Sequence, residues 1–156
     1  MNRLLPFLLL PACYQGPSGI AITHDPCQPV VVVPATDATD AERAGIVAAL
    51  KLWNDAAGAR LTLDEIDGAP RVPISFRDAA PVFFGIYEDN VGDILINRDL
   101  DEDPAACAVT IAHELGHSFG LVHVSDKTSV MVAGNVTVPP GAVDVAALAA
   151  LWGSCR

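Results

Sequence analysis

The segment His113-Glu114-Leu115-Gly116-His117-Ser118-Phe119-Gly120-Leu121-Val122-His123 holds the densest concentration of reactive side chains in the sequence. It reads H-E-x-x-H-x-x-G-x-x-H with every fixed position matched. Residues four apart share one face of a helix, so His113 and His117 can aim their imidazoles at one ion about 2.0–2.1 Å away. On a continuous helix His123 would stand about 9 Å further along the axis and roughly 240° around it, out of reach of that ion. The chain must therefore turn. Gly120 stands where the turn is needed, and glycine tolerates the positive φ of a sharp helix exit. Three neutral histidines leave a fourth tetrahedral position to water, the arrangement of a catalytic zinc site and not of a closed structural one. Zinc lowers the pKa of such a water from about 15.7 towards about 7. Glu114, beside the first ligand, is then the general base, accepting the proton during attack on a peptide carbonyl and passing it to the leaving amine. A bare H-E-x-x-H recurs in unrelated helices, whereas all five fixed positions match by chance on the order of once in 10⁵ chains of this length. Coincidence is set aside on that ground. The remaining histidine, His24, lies in a loop with no partner pattern and is read as solvated.

Elements able to hold these residues follow from the pattern on either side. Pro29 to Val33 carries four consecutive valines and reads as a buried strand ended by Pro34. Thr39-Asp40-Ala41-Glu42 is a capping box, and Ile46, Leu50, Trp53 and Ala57 recur as one apolar stripe of a helix stopped by Gly58. Trp53 on that stripe is a core residue. Short β-type segments follow at Arg60 to Asp64, Pro73 to Arg77, Val82 to Tyr87 and Asp93 to Asn97, separated by turn residues. Ala105 to Phe119 reads as the helix carrying the motif, introduced by Pro104 and acidic residues and closed by Gly120. A last helix runs from about Gly141 to Trp152, with Val145, Leu148, Leu151 and Trp152 on one side and Gly153 behind it. The order of strand, helix, four strands and two helices predicts an α+β domain with a sheet of about five strands.

With 156 residues the chain supplies one domain, read as 28–156, behind a signal at 1–12 and a tether at 13–27. Mean hydropathy is +0.38, but no run reaches the roughly 18–20 apolar residues of a membrane span. The N-terminus has the layout of an export signal, with Asn2 and Arg3 before the apolar stretch Leu4 to Leu10. The expected destination is the cell envelope or the medium. Leu10-Pro11-Ala12-Cys13 resembles a bacterial lipobox, in which Cys13 would be lipidated; cleavage near Ala12, or a disulfide at Cys13, are the alternatives. An oxidising compartment permits disulfides. With Cys13 lipidated, Cys27, Cys107 and Cys155 remain, one of them free, and the favoured pair is Cys107 with Cys155. A net charge of −10 argues against nucleic acid as a partner. Membrane association would come only through Cys13, and the domain is read as a monomer.

The long motif resembles that of the metzincin clan of zinc endopeptidases, whose other mark is a methionine in a tight turn beneath the metal. Met131 in Ser129-Val130-Met131 looks like that residue, and its distance of eight positions from His123 is similar to that in the matrixins. The resemblance implies a metzincin-like twisted mixed sheet with N-terminal, active-site and C-terminal helices. It also implies hydrolysis of extended protein or peptide substrates, with Val82 to Tyr87 as the exposed edge strand that pairs with them. Leu95 and Asn97 occupy positions where animal matrixins carry a structural-zinc histidine and a calcium-binding aspartate, so one catalytic zinc is the expected metal. Asp99, Asp101, Glu102 and Asp103 could offer oxygen ligands to calcium, but a solvated loop capping the next helix is the favoured reading. Two alternatives to an active enzyme remain at this stage. One is a catalytically inactive zinc-binding surface module, and the other a dormant enzyme with Cys27 as fourth zinc ligand.

Overall fold

The computed structural model describes residues 19–156, so the signal segment and Cys13 lie outside the described residues. Five strands, β1 (Pro29–Pro34), β2 (Arg60–Thr62), β3 (Arg71–Arg77), β4 (Gly85–Glu88) and β5 (Asp93–Asn97), form one sheet in the order β2-β1-β3-β5-β4. The first four in that order are parallel, and β4 runs antiparallel to β5, so the sheet is mixed and β4 is an edge. Along β3 burial alternates, with Val72, Ile74 and Phe76 turned to the core, as a sheet covered on one face requires.

Helix α1 (Asp40–Ala57) begins at the expected box: Thr39 Oγ1 accepts the Glu42 N–H at 3.1 Å, and Glu42 Oε2 accepts the Thr39 N–H at 2.6 Å. Its stripe of Ile46, Leu50, Trp53 and Ala57 is buried. Helix α2 (Pro104–Ser118) is buried almost all round from Ala106 to Gly116, packing on α1 and over β4 and β5. Such a helix reads as apolar on every side, and for that reason its one polar row is conspicuous. Trp53 joins the two helices, its indole N–H donating to the Ala112 carbonyl at 2.8 Å and its ring meeting Phe119 edge-to-face. Helix α3 (Ala142–Trp152) buries Leu148 and rests Val145, Leu151 and Trp152 against the core.

Several expectations need correction. The disulfide joins Cys27 to Cys155, and Cys107 is free. Parity alone could not choose the partner, but position does. Cys107 faces inward from α2 at 2% exposure, while Cys27, ahead of β1, and Cys155, behind α3, lie 4.8 Å apart between Cα atoms. Burial pushes the Cys107 thiol up to about 11. The strand expected over Val82 to Tyr87 covers Gly85 to Glu88 only, and Val82 is 88% exposed. Residues 79–84 instead wind round the buried Asn97 side chain. Its amide donates to the Phe83 and Ala80 carbonyls at 2.9 and 3.4 Å, and its oxygen accepts the Ala79 N–H at 3.3 Å. With the Phe83 N–H donating to the Ala80 carbonyl at 2.9 Å, these bonds hold the segment as a turn and give its backbone groups partners outside any ladder. His24 is half-buried, with an Nε2 that is buried and unpartnered, and burial lowers its pKa. Part of the expected tether is also tied down. Ile22 N–H donates to the Asp89 carbonyl at 3.0 Å, Tyr87 Oη–H to the Ile22 carbonyl at 2.8 Å, and His24 N–H to the Ser118 carbonyl at 2.8 Å. In the acidic segment, Asp103 caps α2 by accepting the Ala105 and Ala106 N–H groups, each at 3.1 Å.

Candidate metal centre

Helix α2 sets His113 and His117 on one face, and the chain then reverses. The Gly120 N–H donates to the His117 carbonyl at 2.9 Å and the Leu121 N–H to the Gly116 carbonyl at 3.0 Å, the paired bonds of a Schellman ending. Gly120 has φ 93°, which a side chain would oppose. The turn brings His123 back, and the Val124 N–H bonded to the Met131 carbonyl at 3.1 Å fixes the returning strand of chain.

The result is convergence. His113 Nε2 and His117 Nε2 lie 3.1 and 3.2 Å from His123 Nε2. Ligand atoms about 2.0–2.1 Å from a tetrahedral ion stand about 3.3–3.4 Å apart, so the spacing fits one ion held by all three. The outer nitrogens support this assignment. His113 Nδ1 lies 2.7 Å from the Val130 carbonyl and His117 Nδ1 2.8 Å from the Leu121 carbonyl. A carbonyl can only accept, so each Nδ1 carries the proton and each Nε2 turns a lone pair inward. Burial lowers the pKa of both rings, that of His117 to about 4, which keeps them neutral and available as ligands near pH 7. Among the described residues, no other group of three or more His, Cys, Asp or Glu side chains converges in this way.

Glu114 lies in the same cleft and is 5% exposed. Burial raises its pKa to about 7 against the opposing hydrogen bond from the Tyr87 backbone N–H. A bound cation beside it would draw that value back down. The cleft has a volume of about 500 Å³ and runs between the edge strand β4 and the loop holding Gly134 and Asn135. With a carboxylate beside three converging imidazoles and a free sheet edge, the cleft can hold an ion, take up a proton and pair with an extended chain.

Four further residues position this site without having been singled out by the motif. Met131, 2% exposed, lies beneath α2, and its Sδ occupies the space a side chain on Gly116 would need. Asp144, 1% exposed, accepts from the Ser129 hydroxyl, from the Val130 N–H at 3.1 Å and from the Gly141 N–H at 2.8 Å. It thereby anchors the backbone of Val130, whose carbonyl, in the following peptide group, orients His113. Asn135 donates to that same Val130 carbonyl at 3.1 Å and to the Val138 carbonyl at 2.7 Å, tying the loop of the cleft wall to the first ligand. Gly85 leaves room for Glu114, since a Cβ there would come within 3.1 Å of its Oε1. Met131 entered the sequence reading through the family resemblance; of the other three, only Asn135 carried a local signal, as half of the turn-forming pair Gly134-Asn135. Cys27, bonded to Cys155, offers no thiolate to the cleft, which removes the dormant arrangement considered from the sequence.

No protein-family model matches this chain, and no curated protein matches it significantly.

Proposed function

We propose that the chain is a zinc-dependent endopeptidase of metzincin, matrixin-like type, acting on protein or peptide substrates in extended conformation. The observation that carries this reading is the convergence of three imidazole nitrogens, with Glu114 beside them, along an open sheet edge. Zinc suits an all-imidazole donor set and, when bound, supplies a Lewis acid that acidifies water and draws negative charge from a carbonyl oxygen. The protein residues supply the rest. His113, His117 and His123 hold the ion, the first two with their tautomers set by backbone carbonyls. Edge strand β4 offers backbone donors and acceptors to a substrate strand. Glu114 takes a proton from the attacking water and delivers it to the leaving amine.

Metal analysis joined to a peptide-library digest tests the reading. The native protein should carry one zinc per chain and cut internal bonds. Glu114→Gln should keep the zinc and lose about 10²–10⁴-fold in kcat. Zinc binding without cleavage of any peptide would instead identify a non-catalytic zinc-binding surface module.

A further inference from the structure

Backbone pairing along β4 alternates, and the alternation decides which residues can meet a substrate. The Asn97 N–H donates to the Phe84 carbonyl at 2.8 Å, and the ladder continues in the register Gly85↔Ile96 to Glu88↔Asp93. In an antiparallel pair every second residue turns its N–H and C=O to the neighbouring strand, and the residues between turn theirs away. Phe84, Ile86 and Glu88 therefore face β5, while Phe83, Gly85, Tyr87 and Asp89 face the open side.

Phe83 and Asp89, the outer two of these, are already paired within the protein. At one end the chain bends around Asn97: the Phe83 N–H donates to the Ala80 carbonyl at 2.9 Å, and the Phe83 carbonyl accepts from Asn97 Nδ2 at 2.9 Å. At the other end the segment ahead of β1 crosses the edge. The Ile22 N–H donates to the Asp89 carbonyl at 3.0 Å, the Ala21 N–H to Asp89 Oδ2 at 3.1 Å, and the Tyr87 hydroxyl to the Ile22 carbonyl at 2.8 Å. Ile22 thus stands where a paired substrate strand would continue, and Ile20 joins the cleft wall beside it. Among the described residues, no backbone group pairs with the outward side of Gly85 or Tyr87. The chemistry lies inside this window, because a Cβ on Gly85 would come within 3.1 Å of Glu114 Oε1.

We propose that the cleft takes substrates of oligopeptide length: Ile22 at one end and Asn97 at the other confine backbone recognition to about five residues, those opposite Phe84 to Glu88, or roughly 17 Å of extended chain. Peptides of that length, and protein segments exposed over that length, receive every backbone bond the edge can give. Longer extended chains gain none. The inference rests on the peptidase reading and narrows its substrate class.

A length series tests it. A peptide that the wild-type protein cleaves is trimmed, or extended with glycine so that only backbone is added, one residue at a time on each side of the cut bond. Its kcat/KM should climb up to about five residues and then stay within about twofold out to about ten. In the same protein, N-methylation of an amide opposite Gly85 or Tyr87 should lower kcat/KM about fivefold or more, and N-methylation outside the window by less than about twofold. Ile22→Pro, made in the full chain, removes the N–H that occupies the Asp89 carbonyl and keeps the carbonyl that accepts from Tyr87. The ratio of kcat/KM for the longest peptide to that for the peptide of about five residues, a quantity internal to each protein, should rise about fivefold in this variant, the contribution of one added backbone bond. A wild-type kcat/KM that goes on climbing to the longest peptide overturns the inference, as does an equal penalty for N-methylation outside the window; neither depends on the variant folding. An unchanged ratio in an active Ile22→Pro overturns it as well. A wild-type protein that cleaves no peptide removes the peptidase reading and this inference with it, whereas one that cleaves and favours the longest peptide removes the inference alone.

Discussion

Replacing Asp144 by asparagine exchanges one carboxylate oxygen for an amide nitrogen behind Val130, the residue whose carbonyl bonds His113, and it should weaken both the fold and the metal site. The carboxylate is 1% exposed and meets three donors: the Ser129 hydroxyl, the Val130 N–H and the Gly141 N–H. In Asp144→Asn one oxygen remains for the two backbone N–H groups, which both lie on Oδ2. Those bonds change from charge-assisted to neutral, at about 1 kcal/mol each. Ser129, which already accepts the Met131 N–H at 3.0 Å, loses the acceptor for its own proton. The sum is about 2–3 kcal/mol of stability, and Asp144→Ala, which leaves all three donors without the carboxylate, should cost about 4–5 kcal/mol. The Val130 backbone carries the effect onward, because the carbonyl on the other side of its Cα takes the His113 Nδ1 proton. Disturbing such an outer partner should reduce zinc affinity by about tenfold or more. Urea unfolding of the metal-free protein measures the first quantity, and competition with a chromogenic chelator the second. If Asp144→Asn stays within about 0.5 kcal/mol of wild type and binds zinc equally well, Asp144 does not support the ligand and the argument fails.

Two further outcomes follow from the same structure. Breaking the Cys27–Cys155 bond, by reduction or by Cys27→Ser, should destabilise the protein by roughly 3–5 kcal/mol, since it closes a loop of 128 residues, while native Cys107 stays unreactive to thiol reagents; a urea midpoint equal in both redox states would contradict this. For His117, burial sets the folded pKa at about 4, below the ordinary 6.5. Between those values the unfolded chain binds more protons, so the metal-free protein should lose stability as pH falls from 6.5 towards 4. His117→Gln should flatten that slope, and a slope unchanged by the substitution would assign it to other groups.

What could be read from sequence was whatever is written over a few adjacent residues. The capping box at Thr39 and Glu42, the stripe ending at Ala57, the turn at Gly120 and the spacing of the three histidines each lie within a turn or two of helix, and the structure contains each of them. Five strands and three helices were legible for the same reason. What escaped depends on partners far apart in the chain. The start of β4 was misjudged because Asn97, 14 residues from Phe83, binds the loop backbone in place of a ladder. Asp144 looks ordinary in sequence, an acidic residue in a first helical turn. Its meaning comes from Val130, which only folding brings near.

The bond between Cys27 and Cys155 also bears on survival after damage. It encloses every strand and helix of the domain, from β1 to α3. A single backbone cut in any loop between them leaves two fragments that remain one covalent molecule. A nick near Gly134, on the exposed wall of the cleft, would therefore release nothing until the disulfide was reduced. For the peptidase proposed above, the cross-link would separate being cleaved from coming apart.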